Sequence, residues 1–365
     1  MTVKCKMIMQ AAQLEALLRH EEKPIYHRED YMSDEWQDML LKRQKKANDS
    51  SSVAVSCPSS RLMKLPLSPR SVSKISVSFT SSPDSCSRTT SCPSHALHIS
   101  NSSTSENTSK SSSPPPTNSI AQERITPQWR EKICTWNFHV VDYYQIDREV
   151  AAISIHYLDR YLSRTLVDTD SFLLAAMTCL RLAMKTLHGK DRLSTGTVTT
   201  MSRGMVGERD MEEMELTLLF CLEWCLNPPT PNQFLGYLRP YIALCLGEED
   251  QDQDYHEHND NNSVMEDIME IATFLTEISV CKYEFLVYKP SIVAFASILC
   301  ALKHLKYPRQ TVKRTREHVS KTVLGYDNQG DADEDLTQCS ASLWGYCMEN
   351  ASLMAFSSSS RAVIS

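Results

Sequence analysis

No apolar run in this chain is long enough to span a bilayer. The longest, "SIVAFASILCAL" at 291–302, falls well short of the ~20 residues a spanning helix needs and reads as a core helix. The first residues reach Glu15 before any sustained apolar stretch, so no secretory signal is expected. The chain also lacks a Gly-x-x-x-x-Gly-Lys phosphate loop, a His-Glu-x-x-His zinc motif and a nucleophile elbow. "HGKDRLSTGT" has a Gly-Lys pair without the spacing to cradle a phosphate, and enzymatic chemistry is not expected. Positive charge is in deficit: 38 Lys and Arg against 45 Asp and Glu leave a net −7, the wrong sign for nucleic acid or an anionic membrane. Cysteine is plentiful but lacks a framework. Its 13 copies, an odd number, are scattered through apolar and serine-rich stretches alike, as suits reduced thiols in the cytosol or nucleus. Cys221 and Cys225 in "CLEWC" have no second ligand pair nearby, and "HEH" at 256–258 lies in an acidic stretch. No metal or cofactor is expected, and the two cysteines read as small apolar side chains.

What is present divides the chain. Residues 1–49 form a partly helical segment in which Ser33 is placed to cap a helix with a basic last turn. Residues 50–125 follow as a linker. Between 50 and 119, 26 residues are serine and none is glycine, a composition that cannot bury enough apolar surface to order itself. Its Ser-Pro pairs at Ser68, Ser82 and Ser113 are candidate phosphorylation sites for control of abundance. "KRQKK" supplies a candidate nuclear-import cluster in Lys42, Arg43, Lys45 and Lys46, and residence in nucleus and cytoplasm is expected.

From 126 onward the pattern is helical throughout. Thr126–Pro127 is a helix start, with helices expected to follow near Asp147, Asp170, Thr195 and Asp210, the last with a capping-box pairing to Glu213. Thr230–Pro231 repeats the first start, and helices follow at 263–280, 289–304, 309–323 and 335–349, after an acidic insert at 248–262. The expected fold is all-α: two tandem sets of five helices, 126–228 and 229–350, with a tail at 351–365.

One short stretch, "HYLDRYLSR" at 156–164, poses a physical problem. Ala151, Ile155, Leu158 and Leu162 make a helical core stripe, and Asp159 lies at its edge. A buried carboxylate needs a cation, and arginine's planar fork fits it. Arg160 points about 100° away around the helix, so Arg130 in the preceding helix is the better partner.

Arg130 with Trp136, "YLDRYLS" at 157–163 and "FLLAAMTCLRLAMK" at 172–185, in this order and spacing, resemble the first cyclin box. "MELTLLFCLEWCLNPPTPNQFL" at 214–235 resembles its end and the entry to the second box, in the manner of the divergent cyclins of algae and stramenopiles. The resemblance implies two tandem five-helix cyclin boxes. It also implies a noncatalytic regulatory subunit that binds and activates a cyclin-dependent Ser/Thr kinase in cell-cycle control. Arg130 and Asp159 match the family's buried ion pair, and Leu174 a core leucine. Lys185 and Glu215 match the pair that grips the kinase, with Leu182, Leu219, Trp224 and Leu226 as the apolar surround. Both charges are expected to be solvated in the free chain. Trp129, Ile133 and Trp136 fall on the docking patch for short motifs of substrate or inhibitor proteins. Two departures stand out: Thr186 replaces a usual aromatic with no acidic pair after Lys185, and His139 replaces an acidic residue at the docking patch. A cyclin-fold transcription factor is the alternative, and it would need a basic face that this charge balance does not supply.

Overall fold

A computed structural model describes residues 3–49, 125–188, 194–202, 204–247, 260–325 and 330–350. The candidate phosphorylation sites, the linker, most of the acidic insert and the C-terminal tail lie outside the described residues. Helices α1 (Val3–Glu21) and α2 (Asp34–Asp49) form the N-terminal segment. The first set of five is α3 (Pro127–Tyr143), α4 (Glu149–Leu162), α5 (Thr169–His188), α6 (Thr195–Met201) and α7 (Glu208–Cys221). The second is α8 (Pro231–Gly247), α9 (Asp260–Cys281), α10 (Pro290–His304), α11 (Arg309–His318) and α12 (Asp331–Glu349). Among the described residues there is no strand.

The starts differ from the expected ones in instructive ways. Thr126 occupies the N-cap of α3, but its hydroxyl makes no capping bond, so proline's fixed φ is the main start signal there. Thr230 does cap α8, its hydroxyl accepting from the Gln233 N–H at 3.3 Å. Helix α7 begins at Glu208 behind Gly207, so Asp210 and Glu213 are already inside it and form no capping box. Ser33 caps α2 as expected, accepting from the Trp36 N–H at 3.3 Å. Helix α11 runs on through a π-helical turn to Val323.

Each set closes around its own core. In both, the third helix is buried on nearly every side: α5 through Ala175–Met184 and α10 through Pro290–Leu302. A helix apolar all round must sit in the middle of its neighbours. Helix α4 is also enclosed, with every residue from Ile153 to Leu162 buried. Asp159 is therefore not at the edge of a stripe. It lies fully inside the protein, and so does Arg160.

Contacts of several kinds join the halves. Arg148 reaches Glu277 on α9 through two bonds of 2.6 and 2.8 Å, Thr230 and Asn232 bond Glu149, and α3 packs on α9. The N-terminal segment spans both. Leu14 is buried in the second core, while Tyr31 lies in the first. Between them Glu21, nearly buried, accepts from the Ser291 N–H at 3.1 Å, and Glu22 pairs with Lys289 at 2.7 Å.

Burial pushes the Glu21 carboxyl up to about 7, against the lowering effects of Ser291 and Lys289. Between pH 4.5 and 7 the folded chain holds a proton that the unfolded chain has released, so stability falls as pH rises through that window. Glu21→Gln removes this titration. The stability difference between variant and parent should grow in the variant's favour from pH 4.5 to 7, by up to about 3 kcal/mol, and then level off. Denaturant titrations across that range check it, and a difference independent of pH would show that Glu21 is ionised in the fold.

Candidate functional site

Every charged group in 156–164 that the fold buries has a task. Asp159 receives a bidentate fork from Arg130, Nε to Oδ1 at 2.7 Å and Nη2 to Oδ2 at 2.8 Å. Arg130 spends its remaining nitrogen on the carbonyls of Val280 and Cys281 at the end of α9, both at 3.0 Å. Asp159 also accepts the Tyr31 hydroxyl at 2.9 Å, and Arg28 stands 3.9 Å from it. One carboxylate therefore ties together α3, α4, the N-terminal segment and the second half. Burial opposes the charge on Arg130, but Asp159 outweighs it and the guanidinium is held more firmly protonated than usual. No spacing in the sequence points to Arg28 and Tyr31, which come from beyond the long linker.

Among the described residues, Arg160 pairs with no carboxylate. Its guanidinium donates to the carbonyls of Leu222 at 2.9 Å and Cys225 at 2.8 Å and lies over the Tyr26 ring. Those carbonyls follow the last turn of α7, where a helix leaves acceptors unsatisfied and favours positive charge. Arg164 donates to the Cys221 carbonyl, and the Tyr157 hydroxyl to that of Leu226. His156 is buried between Arg28 and Arg160; burial and both guanidiniums push its pKa well below the ordinary value, so it is neutral.

The pinned turn explains a strained backbone. Glu223 and Trp224 take φ of 52° and 58°, a left-handed conformation that costs a non-glycine residue about 1–2 kcal/mol. The result is that Trp224 is 60% exposed, edge to face with Phe220. Phe220 and Leu216 are also about half exposed, one turn apart on α7. Of this apolar row, only Trp224 was expected from the sequence. Leu216 and Phe220 lie four residues apart on α7, a helical spacing that can be read in the sequence.

Beside the row is a cluster of charge. Glu215 on α7 accepts from Lys185 on α5 at 2.8 and 2.9 Å, and from Arg181, one turn before it. Side-chain exposures are 33% for Lys185, 17% for Glu215 and 7% for Arg181. Lys185 and Glu215 meet at one site, but the expectation that both are solvated in the free chain is corrected: they are already paired, and Glu215 is largely enclosed. Arg181 was missed because it sits in a stretch that otherwise reads as apolar.

The apolar surround divides. Trp224 is at the surface and Leu226 half-buried, whereas Leu182 and Leu219 belong to the core beneath. Leu174 is half-buried against that core. The expected docking patch is not a surface. Ile133 is fully buried and Trp136 nearly so, because the inward stripe of α3 faces its neighbours; only Trp129 is partly exposed, edge to face with Phe172. Lys42, Arg43, Lys45 and Lys46 are exposed along α2. Cys221 and Cys225 are half-buried, and His256 and His258 lie outside the described residues. Among the described residues no three His, Cys, Asp or Glu side chains could hold a metal ion, and no helix is long and apolar enough to cross a membrane.

Comparison with known proteins places this geometry. Residues 99–227 match the family model "Cyclin, N-terminal domain" and residues 229–361 match "Cyclin, C-terminal domain". Cyclin-A1-2 of Arabidopsis thaliana is 25% identical over 201 residues, 54% of this chain and 41% of its own length. Cyclin-D of Ostreococcus tauri is 29% identical over 180 residues, 48% of this chain and 47% of its own. G1/S-specific cyclin-D1 of Homo sapiens is 23% identical, covering 50% of this chain and 57% of its own length. The chain thus spans about half the length of the curated relatives it matches. Among solved structures, a viral cyclin from herpesvirus saimiri aligns with a TM-score of 0.46 at 14% identity, covering 61% of this chain and 87% of that one. With both family domains matched in tandem over most of its length, and with the two helical sets that carry them, this chain belongs to the cyclin family.

Proposed function

We propose that the chain is a noncatalytic regulatory subunit that binds and activates a cyclin-dependent Ser/Thr protein kinase in cell-cycle control. The observation that carries this reading is the Lys185–Glu215–Arg181 cluster set beside the exposed row of Leu216, Phe220 and Trp224. An apolar row flanked by charge suits a partner helix: the aromatics bury its apolar face, while Lys185 reaches carbonyls at its end and Glu215 accepts N–H groups. The kinase supplies all the chemistry, since phosphoryl transfer needs its own Lys–Glu pair and metal-binding Asp in place. The regulatory subunit contributes by binding the active arrangement better than the inactive one. Affinity purification of the full chain, followed by phosphorylation assays on the recovered complex, tests the reading. A bound kinase that is activated in proportion to added chain supports it; recovery without any protein kinase rejects it.

Among short-motif partners, the buried state of Ile133 and Trp136 leaves Trp129 as the part of that expected patch open to contact. The exposed Lys42–Lys46 cluster on α2 supports residence in the nucleus as well as the cytoplasm. Lys45→Ala with Lys46→Ala should lower the nuclear share of a fluorescent fusion. An unchanged distribution would make the cluster simply a solvated helix end.

A further inference from the structure

Where the N-terminal segment meets both boxes, the buried charge does not balance. The guanidiniums of Arg28, Arg130 and Arg160 share this region with one carboxylate, Asp159, among the described residues. Arg130 is answered by Asp159 itself, and Arg160 by the carbonyls of Leu222 and Cys225. Arg28 is left short. Its side chain is 17% exposed, it stands 3.9 Å from Asp159, and its hydrogen bond is a long one, 3.4 Å to the Tyr288 carbonyl. A guanidinium has five N–H donors, and an enclosed cation without a counter-charge is costly.

Arg28, Arg130 and His156 line one cavity of about 30 Å³, whose other walls include Ile155, Phe285 and Val293. That is about twice the ~15 Å³ a water molecule needs. His156 is 5% exposed, and its buried Nδ1 has no hydrogen-bond partner. The two hydroxyls in the wall are committed, Thr230 to Glu149 and Ser279 to the Thr276 carbonyl at 2.6 Å. The donors left facing the cavity are therefore Arg28 and His156. We propose that this cavity binds a small monovalent inorganic anion of the size of chloride, held by the Arg28 guanidinium and the His156 Nδ1–H.

The chemistry of the walls selects that class of ligand. Two donor groups and the nearby charge of Arg130 suit a single negative charge, and the apolar side chains favour an ion that gives up its hydration readily. A phosphate has four oxygens to satisfy and finds too few donors and too little room. Other enclosed carboxyls of the joint cannot take the place of the anion: Glu21 accepts from the Ser291 N–H, and Glu149 from Thr230 and Asn232. Burial and the neighbouring Arg130 pull the Arg28 pKa down although Asp159 raises it, as expected of a guanidinium short of counter-charge. The anion would tie Arg28 to His156 on α4, and so fasten the N-terminal segment to the first box at the point where the second box closes over it.

The test uses the full chain near neutral pH, with chloride exchanged for gluconate at constant ionic strength so that screening does not change. Raising chloride from roughly 1 to 100 mM should raise the thermal midpoint by on the order of 5 °C, the shift growing with the logarithm of chloride once the site fills. Bromide should act like chloride, and phosphate less. Arg28→Met keeps the stem and removes the charge, and it should abolish the dependence; His156→Phe should reduce it. In the parent chain the ring ¹⁵N signals of labelled His156 should shift saturably with bromide, a reading that stands even where a variant fails to fold. A midpoint indifferent to chloride, a full response in the folded Arg28→Met protein, stronger stabilisation by phosphate, or a His156 ring that bromide leaves unmoved would overturn the proposal.

Discussion

Asp159→Ala should lower the thermal midpoint of the full chain by on the order of 10 °C, from a loss of about 3–5 kcal/mol. That is a large part of the ~5–15 kcal/mol that holds a domain folded. The size follows from the geometry. The substitution leaves the Arg130 guanidinium, 1% exposed, without its carboxylate, and it removes the acceptor of the Tyr31 hydroxyl. Arg130→Met with Asp159→Leu separates the pair from the network around it. If the ion pair were the whole interaction, the double variant would approach the parent, because apolar groups of similar volume often replace a buried pair at little cost. The carbonyls of Val280 and Cys281 also depend on Arg130, so recovery should be partial. A wild-type midpoint for Asp159→Ala would mean that water reaches the site.

Lys185→Ala with Glu215→Ala should weaken binding of the activated kinase by about 10²–10³-fold, since central contacts can each contribute 2 kcal/mol or more. The two halves of that variant should behave differently in the free chain. Lys185 is one-third exposed, and its removal should leave the melting transition near that of the parent. Glu215 bridges α5 and α7 through two cations, and its loss takes the carboxylate away from Arg181, whose side chain is 7% exposed. Glu215→Ala should therefore also destabilise, and Lys185→Ala is the cleaner probe of binding. Phe220→Ala with Trp224→Ala provides an independent arm. Both rings are at least half exposed, so affinity should fall while stability holds. Titration against the co-purified kinase, with circular dichroism as the folding control, reads all four variants. Folded variants that bind and activate like the parent would remove this face from the interface.

Much was already determined by the sequence. The apolar spacing around Ile155, Leu158 and Leu162 identified a core helix, and the energetics of a buried carboxylate required a cation, for which Arg130 was the better-placed candidate. Proline at the first turn marked the starts of α3 and α8 because its fixed φ needs no tertiary partner. The order of these signals sufficed for two helical sets in tandem. The tertiary structure decided the rest, because it rested on distance in space and not along the chain. Arg28 and Tyr31 reach Asp159 from 131 and 128 positions away, and no periodicity encodes such a meeting. Arg160 was read only as pointing about 100° away from Asp159 around the helix. Only the enclosure of α4 turned it inward, where the carbonyls after α7 receive it and hold Trp224 outward. Ile133 and Trp136 have the same side chains whether they line a docking patch or a core. The packing around α3 chose the core, since burying those side chains removes the most apolar area from water.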